Sequence, residues 1–217
     1  MIKTVKAYLQ TVGGKRILMS LVGNLFIAVG IALFKQSALG NDPYTGMNMA
    51  LADLFGIAFP MLQLGINLLL FLLQLIFERR LIGFGTVVNA LLIGSLVDLF
   101  YRLSMAAFGA PTLLAIKLLV MAVGMVICCS GLSLYQTADL GVSPYDATAL
   151  ILDRRLPRVP YFWCRIFTDG TCALICFLAG GIVGIGTLVT AFGFGPVIAF
   201  FNRLVAPLFG AKKTSAE

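Results

Sequence analysis

Two six-residue stretches, LGNDPY at residues 39–44 and LGVSPY at residues 140–145, repeat one pattern 101 positions apart. A small polar side chain before proline is typical of a helix start, because its oxygen caps free backbone amides and proline has no amide to lose. Glycine just upstream suits the left-handed residue that ends a helix. We therefore predict that each stretch ends one helix and begins another, with Gly40 and Gly141 left-handed and Asp42 and Ser143 as caps.

The composition around these stretches is that of an integral membrane protein. Of the 217 residues, 60% are hydrophobic and 12% charged, and the mean hydropathy is +1.00. A helix needs about 20 apolar residues to cross the roughly 30 Å hydrocarbon layer. Six runs meet this length, at residues 17–34, 60–77, 81–97, 111–134, 159–180 and 182–201. We predict an all-α, polytopic fold with six transmembrane helices.

The basic residues predict the orientation of these spans. Lys and Arg concentrate in cytoplasmic loops of membrane proteins. With six spans and a cytoplasmic N-terminus, Lys35 and Arg102 fall outside, and twelve fall inside: Lys3, Lys6, Lys15, Arg16, Arg79, Arg80, Arg154, Arg155, Arg158, Arg203, Lys212 and Lys213. The placement of the basic residues therefore explains the net charge of +7 as a mark of orientation in the bilayer, and we expect no nucleic-acid partner.

An offset of 101 residues relates the two halves of the chain. Residues 30–44 share 6 of 15 identities with residues 131–145, and residues 83–103 share 9 of 21 with residues 184–204. Three spans per copy force the second copy to enter the membrane from the opposite side, which is the plan of many secondary transporters. We predict a cytoplasmic segment at 1–16, repeats at 17–104 and 111–209 within one membrane domain, and a cytoplasmic tail at 210–217.

The short helices after the two stretches have two interpretations. At residues 44–54 and 145–152 they are too short to span, so they either lie flat at the interface or dip into the membrane as half-helices. Half-helices would aim their positive N-terminal ends at a polar or negative solute. The doubling favours the second interpretation, in which both stretches form one solute site.

Charged residues inside the spans add candidates to this site. Such charges face a cavity or a partner, because hydrocarbon does not solvate them. Arg165 and Asp169 stand four residues apart on one helical face, as a self-neutralising pair, although Arg165 could instead reach the headgroups. We expect Lys117 to pair with Asp98. The predicted solute-binding residues are Asp42, Tyr44, Ser143, Tyr145, Asp146, Arg165 and Asp169.

Enzymatic chemistry finds little support in the sequence. There is no histidine, and the five cysteines, at positions 128, 129, 164, 172 and 176, lie in apolar segments as packing residues. The Gly-x-Gly-Thr stretches at Gly83 and Gly184 follow no strand, so we interpret them as helix starts, with Gly180 and Gly184 offering a small-residue seam. We expect no catalytic residue, no cofactor and no metal.

Three longer stretches resemble the YczE/YyaS/YitT group of bacterial membrane proteins, and the YczE branch most. They are LFKQSALGNDPYTGMNMALA, LYQTADLGVSPYDATALIL and FWCRIFTDGTCALICFLAGGIVGIGTLVTAFGFGPVIAF. The similarity covers residues 17–204. The second stretch keeps the acid of the group's Pro-x-Asp-Gly pattern at Asp146 but has Ala147 in place of glycine. The resemblance implies a small polytopic protein of the bacterial inner membrane and supplies no substrate.

Two functions of different classes fit these observations. The first is a transporter of a small polar or charged solute that alternates access between two inverted repeats. The second is a membrane scaffold or solute-capturing accessory subunit of a larger complex. The expected partners are the lipid bilayer and a small-molecule solute, with a homodimer or an energy-coupling protein as further alternatives.

Overall fold

A computed structural model describes residues 13–159 and 161–209, without the side chains of residues 161–162 and 206–209. All regular secondary structure in these residues is helical, as predicted. A 3-10 turn at Arg79–Leu81 accompanies eight α-helices: α1 (Gly14–Ser37), α2 (Pro43–Phe55), α3 (Phe59–Phe77), α4 (Phe84–Phe108), α5 (Leu114–Ala138), α6 (Pro144–Arg155), α7 (Tyr161–Leu178) and α8 (Ile185–Phe209).

Five of the described helices are long and apolar enough to cross a membrane: α1, α3, α4, α5 and residues 185–205 of α8. The prediction had six spans. The remaining one, at residues 159–180, includes residue 160, which lies outside the described residues, and its helix α7 is not among the five. The terminal segments predicted at 1–16 and 210–217 also lie mostly outside them. The structure therefore supports a polytopic membrane protein, and the sixth span stays a prediction.

The predicted helix starts are confirmed. Pro43 and Pro144 stand in the first turns of α2 and α6. The Asp42 carboxylate accepts a hydrogen bond from the Thr45 N–H at 3.0 Å, and the Ser143 hydroxyl accepts one from the Asp146 N–H at 3.2 Å. Each cap satisfies an amide that has no partner within its own helix.

Gly40 (φ 107°) and Gly141 (φ 103°) have positive φ, as predicted, but the residues that end the helices lie two positions earlier. Ala38 (φ 54°) and Asp139 (φ 49°) end α1 and α5 in the left-handed conformation. Gly40 also has positive φ, but it lies where the chain passes α8, and a Cβ there would lie 2.6 Å from Thr187 Oγ1. Gly40 is therefore required both by its backbone conformation and by this close approach.

Helices α1 and α5 cross at the centre of the molecule through small residues. A Cβ on Gly131 would lie 2.7 Å from the Gly23 carbonyl oxygen, and one on Gly30 would lie 2.7 Å from that of Gly124. Backbones approach this closely only where glycine removes the side chain. The two pairs correspond at the 101-residue offset, since Gly23 corresponds to Gly124 and Gly30 to Gly131.

Helices α4 and α8 begin against the broken stretches. The Gly85 N–H donates to the Leu140 carbonyl and the Gly186 N–H to the Leu39 carbonyl, both at 2.8 Å. Helix starts at Gly83 and Gly184 are thereby confirmed. Of the two glycines predicted to allow a close contact, Gly184 does so, because a Cβ there would clash with the Leu39 carbonyl oxygen. The prediction is wrong for Gly180, where a Cβ would meet no atom within 4 Å.

The short helices α2 and α6 point away from each other. Their first turns meet, with Tyr44 against Tyr145. Helix α2 leads into the start of α3, where Lys35 Nζ lies 5.6 Å from the Phe59 ring centroid. Helix α6 ends beside the other end of α3, where Arg154 forms a salt bridge with Glu78 at 2.5 Å. The two N-terminal ends therefore face each other between the ends of α3.

One predicted ion pair is wrong. Asp98 Oδ2 accepts a hydrogen bond from Arg102 Nε at 2.8 Å, one turn along α4, and no salt bridge joins Asp98 to Lys117 among the described residues. The local pair forms because residues four apart on a helix lie side by side. All five cysteines are buried and free, which agrees with packing residues.

Candidate functional site

The two tyrosines of the repeated stretches form a stacked pair. The ring centroids of Tyr44 and Tyr145 lie 4.2 Å apart and the ring planes differ by 11°. Both side chains are buried. Each projects from the first turn of a short helix, directly after the proline that starts it, so the stack fixes the two helix N-termini against each other.

The two hydroxyls of this pair have different partners. The Tyr44 hydroxyl donates to Asn67 Oδ1 at 2.7 Å, and Asn67 Nδ2 donates to the Ala90 carbonyl at 3.1 Å. The Tyr145 hydroxyl donates to the carboxylate of Asp169. One side of the stack is therefore neutral and the other is charged.

The charged side is a continuous chain of hydrogen bonds. Arg165 donates through Nε to Asp169 at 3.2 Å and through a terminal nitrogen to Asp146. Asp146 also accepts from the Ser143 hydroxyl at 2.7 Å. The predicted pairing of Arg165 with Asp169 is confirmed. Arg165 also lies over the Tyr145 ring, 4.9 Å from its centroid, so it bridges two carboxylates beside the stack.

Asp42 lies at the facing N-terminus and retains an unpaired oxygen. Its Oδ1 caps Thr45, whereas Oδ2 is buried without a hydrogen-bond partner in the part of the chain that the structure describes. Asp42 interacts electrostatically with Arg165 and Asp169. A buried carboxylate oxygen without a partner is unfavourable, so this atom is a candidate for a ligand contact that the structure does not show.

A cavity of about 190 Å³ adjoins the stack. It lies between α3 and α7, with α2 and α6 behind it. Its lining consists of Tyr44, Met47, Ile66, Leu70, Tyr145, Thr148, Phe167, Thr168, Thr171 and Cys172. Tyr44 and Tyr145 thus separate an apolar cavity from the charged chain of Arg165.

The seven predicted site residues lie in this one region. Five of them, Ser143, Tyr145, Asp146, Arg165 and Asp169, are joined by hydrogen bonds. Tyr44 stacks on this set and Asp42 caps the helix of Tyr44. Within residues 13–159 and 161–209, no group of three Cys, Asp or Glu could hold a metal ion.

Uncharged amides complete the site and were missed in the sequence. Besides Asn67, Asn48 Nδ2 donates to Gln63 Oε1 at 3.0 Å, and all three side chains are buried. The signal was present, because Gln63, Asn67 and Gln74 are the three amide side chains of an otherwise apolar span. An uncharged polar side chain within a span needs a hydrogen-bond partner just as a charged one does, because hydrocarbon offers no hydrogen bonds.

Comparison with known proteins identifies the family of this chain. A family model described as a family of unknown function, DUF6198, matches residues 14–203. The chain belongs to DUF6198. This DUF6198 protein is 27% identical over 182 residues to an uncharacterised protein of Haemophilus influenzae, which covers 84% of the chain and 81% of the relative.

Two Bacillus subtilis relatives agree with the resemblance found in the sequence. The uncharacterised protein YyaS is 25% identical over 191 residues, which is 88% of this DUF6198 chain and 94% of YyaS. The uncharacterised membrane protein YczE is 26% identical over 179 residues, which is 82% of the chain and 81% of YczE. The resemblance to YczE and YyaS is confirmed. No solved structure matches the chain.

Proposed function

We propose that this protein is a transporter of a small polar or charged solute in the bacterial inner membrane, with both termini cytoplasmic. One observation carries the proposal: the capped N-termini of two oppositely directed short helices meet at the stack of Tyr44 on Tyr145, beside a cluster of charged side chains. Facing half-helix ends are a recurring solute site in secondary transporters.

Paired contacts support an inverted repeat. The offset of 101 residues that relates the two sequence halves also relates the hydrogen bond of Gly85 with Leu140 to that of Gly186 with Leu39. If each residue is replaced by its equivalent in the other repeat, one of these hydrogen bonds becomes the other. A pseudo-twofold axis that relates the two repeats produces this pattern. The Tyr44 and Tyr145 pair maps onto itself and so lies on that axis.

Alternating access follows from this arrangement. The glycine crossing of α1 and α5 is a pivot at which one repeat can rock against the other. Each broken stretch packs on the start of a helix from the other repeat: Leu39 contacts α8 and Leu140 contacts α4. Rocking that releases one of these contacts opens the site to one face, while the other contact keeps the opposite face closed.

The site residues take distinct roles in this mechanism. Asp42, with its unpaired oxygen, and the first turns of α2 and α6 bind the polar part of the solute. Asp146 and Asp169 hold Arg165, which an incoming solute can replace or join. Asp169 also fixes the hydroxyl of Tyr145, so solute binding at Arg165 moves the stack.

Uptake into proteoliposomes tests this function. Solutes are first selected by thermal stabilisation of the purified protein, because a ligand bound only to the folded form raises the melting temperature. We expect saturable uptake that Asp169→Asn reduces, with Asp153→Asn, at a half-buried acid outside the hydrogen-bonded cluster, as the matched control. Purification in a stoichiometric complex with an ATPase, together with no uptake by the protein alone, would contradict a transporter and favour an accessory subunit.

A further inference from the structure

The cavity between α3 and α7 has an apolar surface. Its threonine hydroxyls donate to backbone carbonyls one turn earlier in their own helices, at 2.6 to 2.9 Å, and belong to Thr148, Thr168 and Thr171. An apolar cavity of about 150 Å³ stays dry and accepts benzene. At about 190 Å³, this cavity therefore suits a segment of hydrocarbon chain.

The cavity lies at the lipid-facing side of the bundle. Helices α3 and α7 each pack on α2 and α6 and stand apart from each other, and the cavity occupies the gap. Phe167, on its α7 wall, is 67% exposed, and Leu69, beside the lining residue Leu70 of α3, is 59% exposed. In a bilayer such side chains contact lipid chains, so hydrocarbon from the membrane can enter the cavity.

An exposed apolar strip connects the cavity to one end of α3. Leu70, Leu73 and Phe77 stand three and four residues apart and so share one face of the helix, and Leu73 and Phe77 are exposed. Seven residues separate Leu70 from Phe77, which is about 10 Å along a helix. Half of a bilayer holds about 15 Å of hydrocarbon, so a lipid chain that starts beside Phe77 is long enough to reach the cavity.

Five exposed arginines lie where this strip ends. They form what we call the arginine patch: Arg79, Arg80, Arg154, Arg155 and Arg158. The salt bridge of Arg154 with Glu78, at 2.5 Å, joins the ends of α3 and α6. The Arg155 guanidinium lies over the Phe77 ring, 4.9 Å from its centroid, so the patch begins directly at the apolar strip.

The arginine patch remains positive after its neighbours are counted. Glu78 and Asp153 are the acids of residues 77–80 and 153–158, so five guanidinium groups against two carboxylates leave three positive charges. The C-termini of α3 and α6 together subtract about one charge. Arginine binds phosphate oxygens through paired hydrogen bonds, and basic clusters at a membrane surface attract anionic headgroups.

From these observations we propose that an anionic phospholipid binds along α3, with its phosphate on the arginine patch and one acyl chain in the cavity against Tyr44 and Tyr145. The bound chain packs on the stack that holds the N-termini of α2 and α6, so the lipid supports the site from the membrane side. In the proposed orientation the lipid belongs to the cytoplasmic leaflet. The inference goes beyond transport, because the lipid site does not depend on whether a solute is carried.

Lipid binding to the full chain tests the inference. Native mass spectrometry measures bound phosphatidylglycerol and phosphatidylethanolamine with identical acyl chains, and inorganic phosphate is the competitor without chains. Arg80→Gln with Arg155→Gln removes two charges from the patch, and Arg102→Gln with Arg203→Gln removes the same charge elsewhere on the surface.

A second set of variants tests the acyl-chain position. Leu70→Trp fills the cavity, and Leu69→Trp on the adjacent lipid-facing position is the matched control. Thr171→Trp fills the cavity from the opposite wall and covers the case in which Leu70→Trp does not fold.

The expected result is that phosphatidylglycerol binds at least about tenfold more tightly than phosphatidylethanolamine. The double variant of the patch should lose this preference, and its charge-matched control should keep it. Leu70→Trp and Thr171→Trp should weaken phosphatidylglycerol binding at least about threefold, because the chain loses its packing, and Leu69→Trp should preserve it. Equal binding of the two lipids, or phosphatidylglycerol binding that both cavity variants retain, overturns the inference. Inorganic phosphate that displaces the lipid at equal concentration would assign the patch to a free anion and overturns it as well.

Discussion

Tyr44 and Tyr145, equivalent residues of two sequence halves, stack on each other with ring centroids 4.2 Å apart. The stack joins the first turns of α2 and α6, and it separates the apolar cavity from the charged chain of Arg165. In the proposed inverted repeat, equivalent residues that contact each other lie at the pseudo-twofold axis, which would account for the position of the stack.

The stack should contribute more to stability than the hydroxyl of Tyr145. We expect Tyr145→Ala to lower the free energy of unfolding by about 3 to 5 kcal/mol, as for other buried aromatic side chains. Tyr145→Phe keeps the ring and leaves Asp169 without this donor, which should cost about 1 to 3 kcal/mol. Unfolding of the purified protein in detergent measures both values. Equal losses in the two variants would show that the ring contact contributes little.

Removal of Arg165 should be strongly destabilising. Arg165→Gln leaves Asp146 and Asp169 without their shared cation. Because the cluster is only partly buried, we expect a loss of up to about 3 kcal/mol, the lower end of the range for fully buried pairs. Adding Asp146→Asn should restore part of that loss, because one of the two unpaired charges is then absent. A double-mutant cycle on the unfolding free energy measures the coupling. A coupling energy near zero would contradict the shared cation.

Local chemistry explains what was predictable from the sequence and what was not. The caps at Asp42 and Ser143 depend on their own and the next residues, so they were predicted correctly. The left-handed residue was placed at Gly40 because glycine is usual there, but the helix ends earlier, at Ala38, and the glycine is used for the contact with Thr187.

Contacts between distant parts of the chain could not be predicted from the sequence, because they depend on how the helices pack. Asp98 pairs with Arg102 and not with Lys117. A residue one turn away on the same helix is always close, whereas a contact with a residue of another helix depends on how each helix is rotated about its own axis. The cavity depends on how far α3 and α7 stand apart, which no single segment encodes. The meeting of Tyr44 and Tyr145 was predicted from the sequence only through the doubled stretch, because nothing local to either tyrosine indicates the other as its partner.

The glycine crossing of α1 and α5 should not tolerate a methyl group. Gly131→Ala places a Cβ within 2.7 Å of the Gly23 carbonyl oxygen, and separating the helices should lower the unfolding free energy by about 1 to 3 kcal/mol. Gly65→Ala in α3 is the matched control, because nothing lies within 4 Å of its added Cβ. We expect that variant to be as stable as the parent. Equal behaviour of the two variants would contradict a tight crossing.

The charge distribution predicts which end of the bundle faces the cytoplasm. Ala110 and Arg80 are both exposed, after α4 and before it, at opposite ends of that helix. A membrane-impermeant maleimide should label Ala110→Cys in intact cells and Arg80→Cys only after lysis, while the five native cysteines are buried. The reverse labelling pattern would invert the proposed orientation.

Access to the meeting point of α2 and α6 from both sides of the membrane is the property that defines a carrier. Ser143 is buried there, and Ser143→Cys is a nearly isosteric probe. A small, membrane-impermeant methanethiosulfonate reagent is applied to right-side-out and to inside-out vesicles, with the parent protein as background. Alternating access predicts modification of Cys at position 143 in both preparations, and modification from one face alone, or from neither, would contradict it.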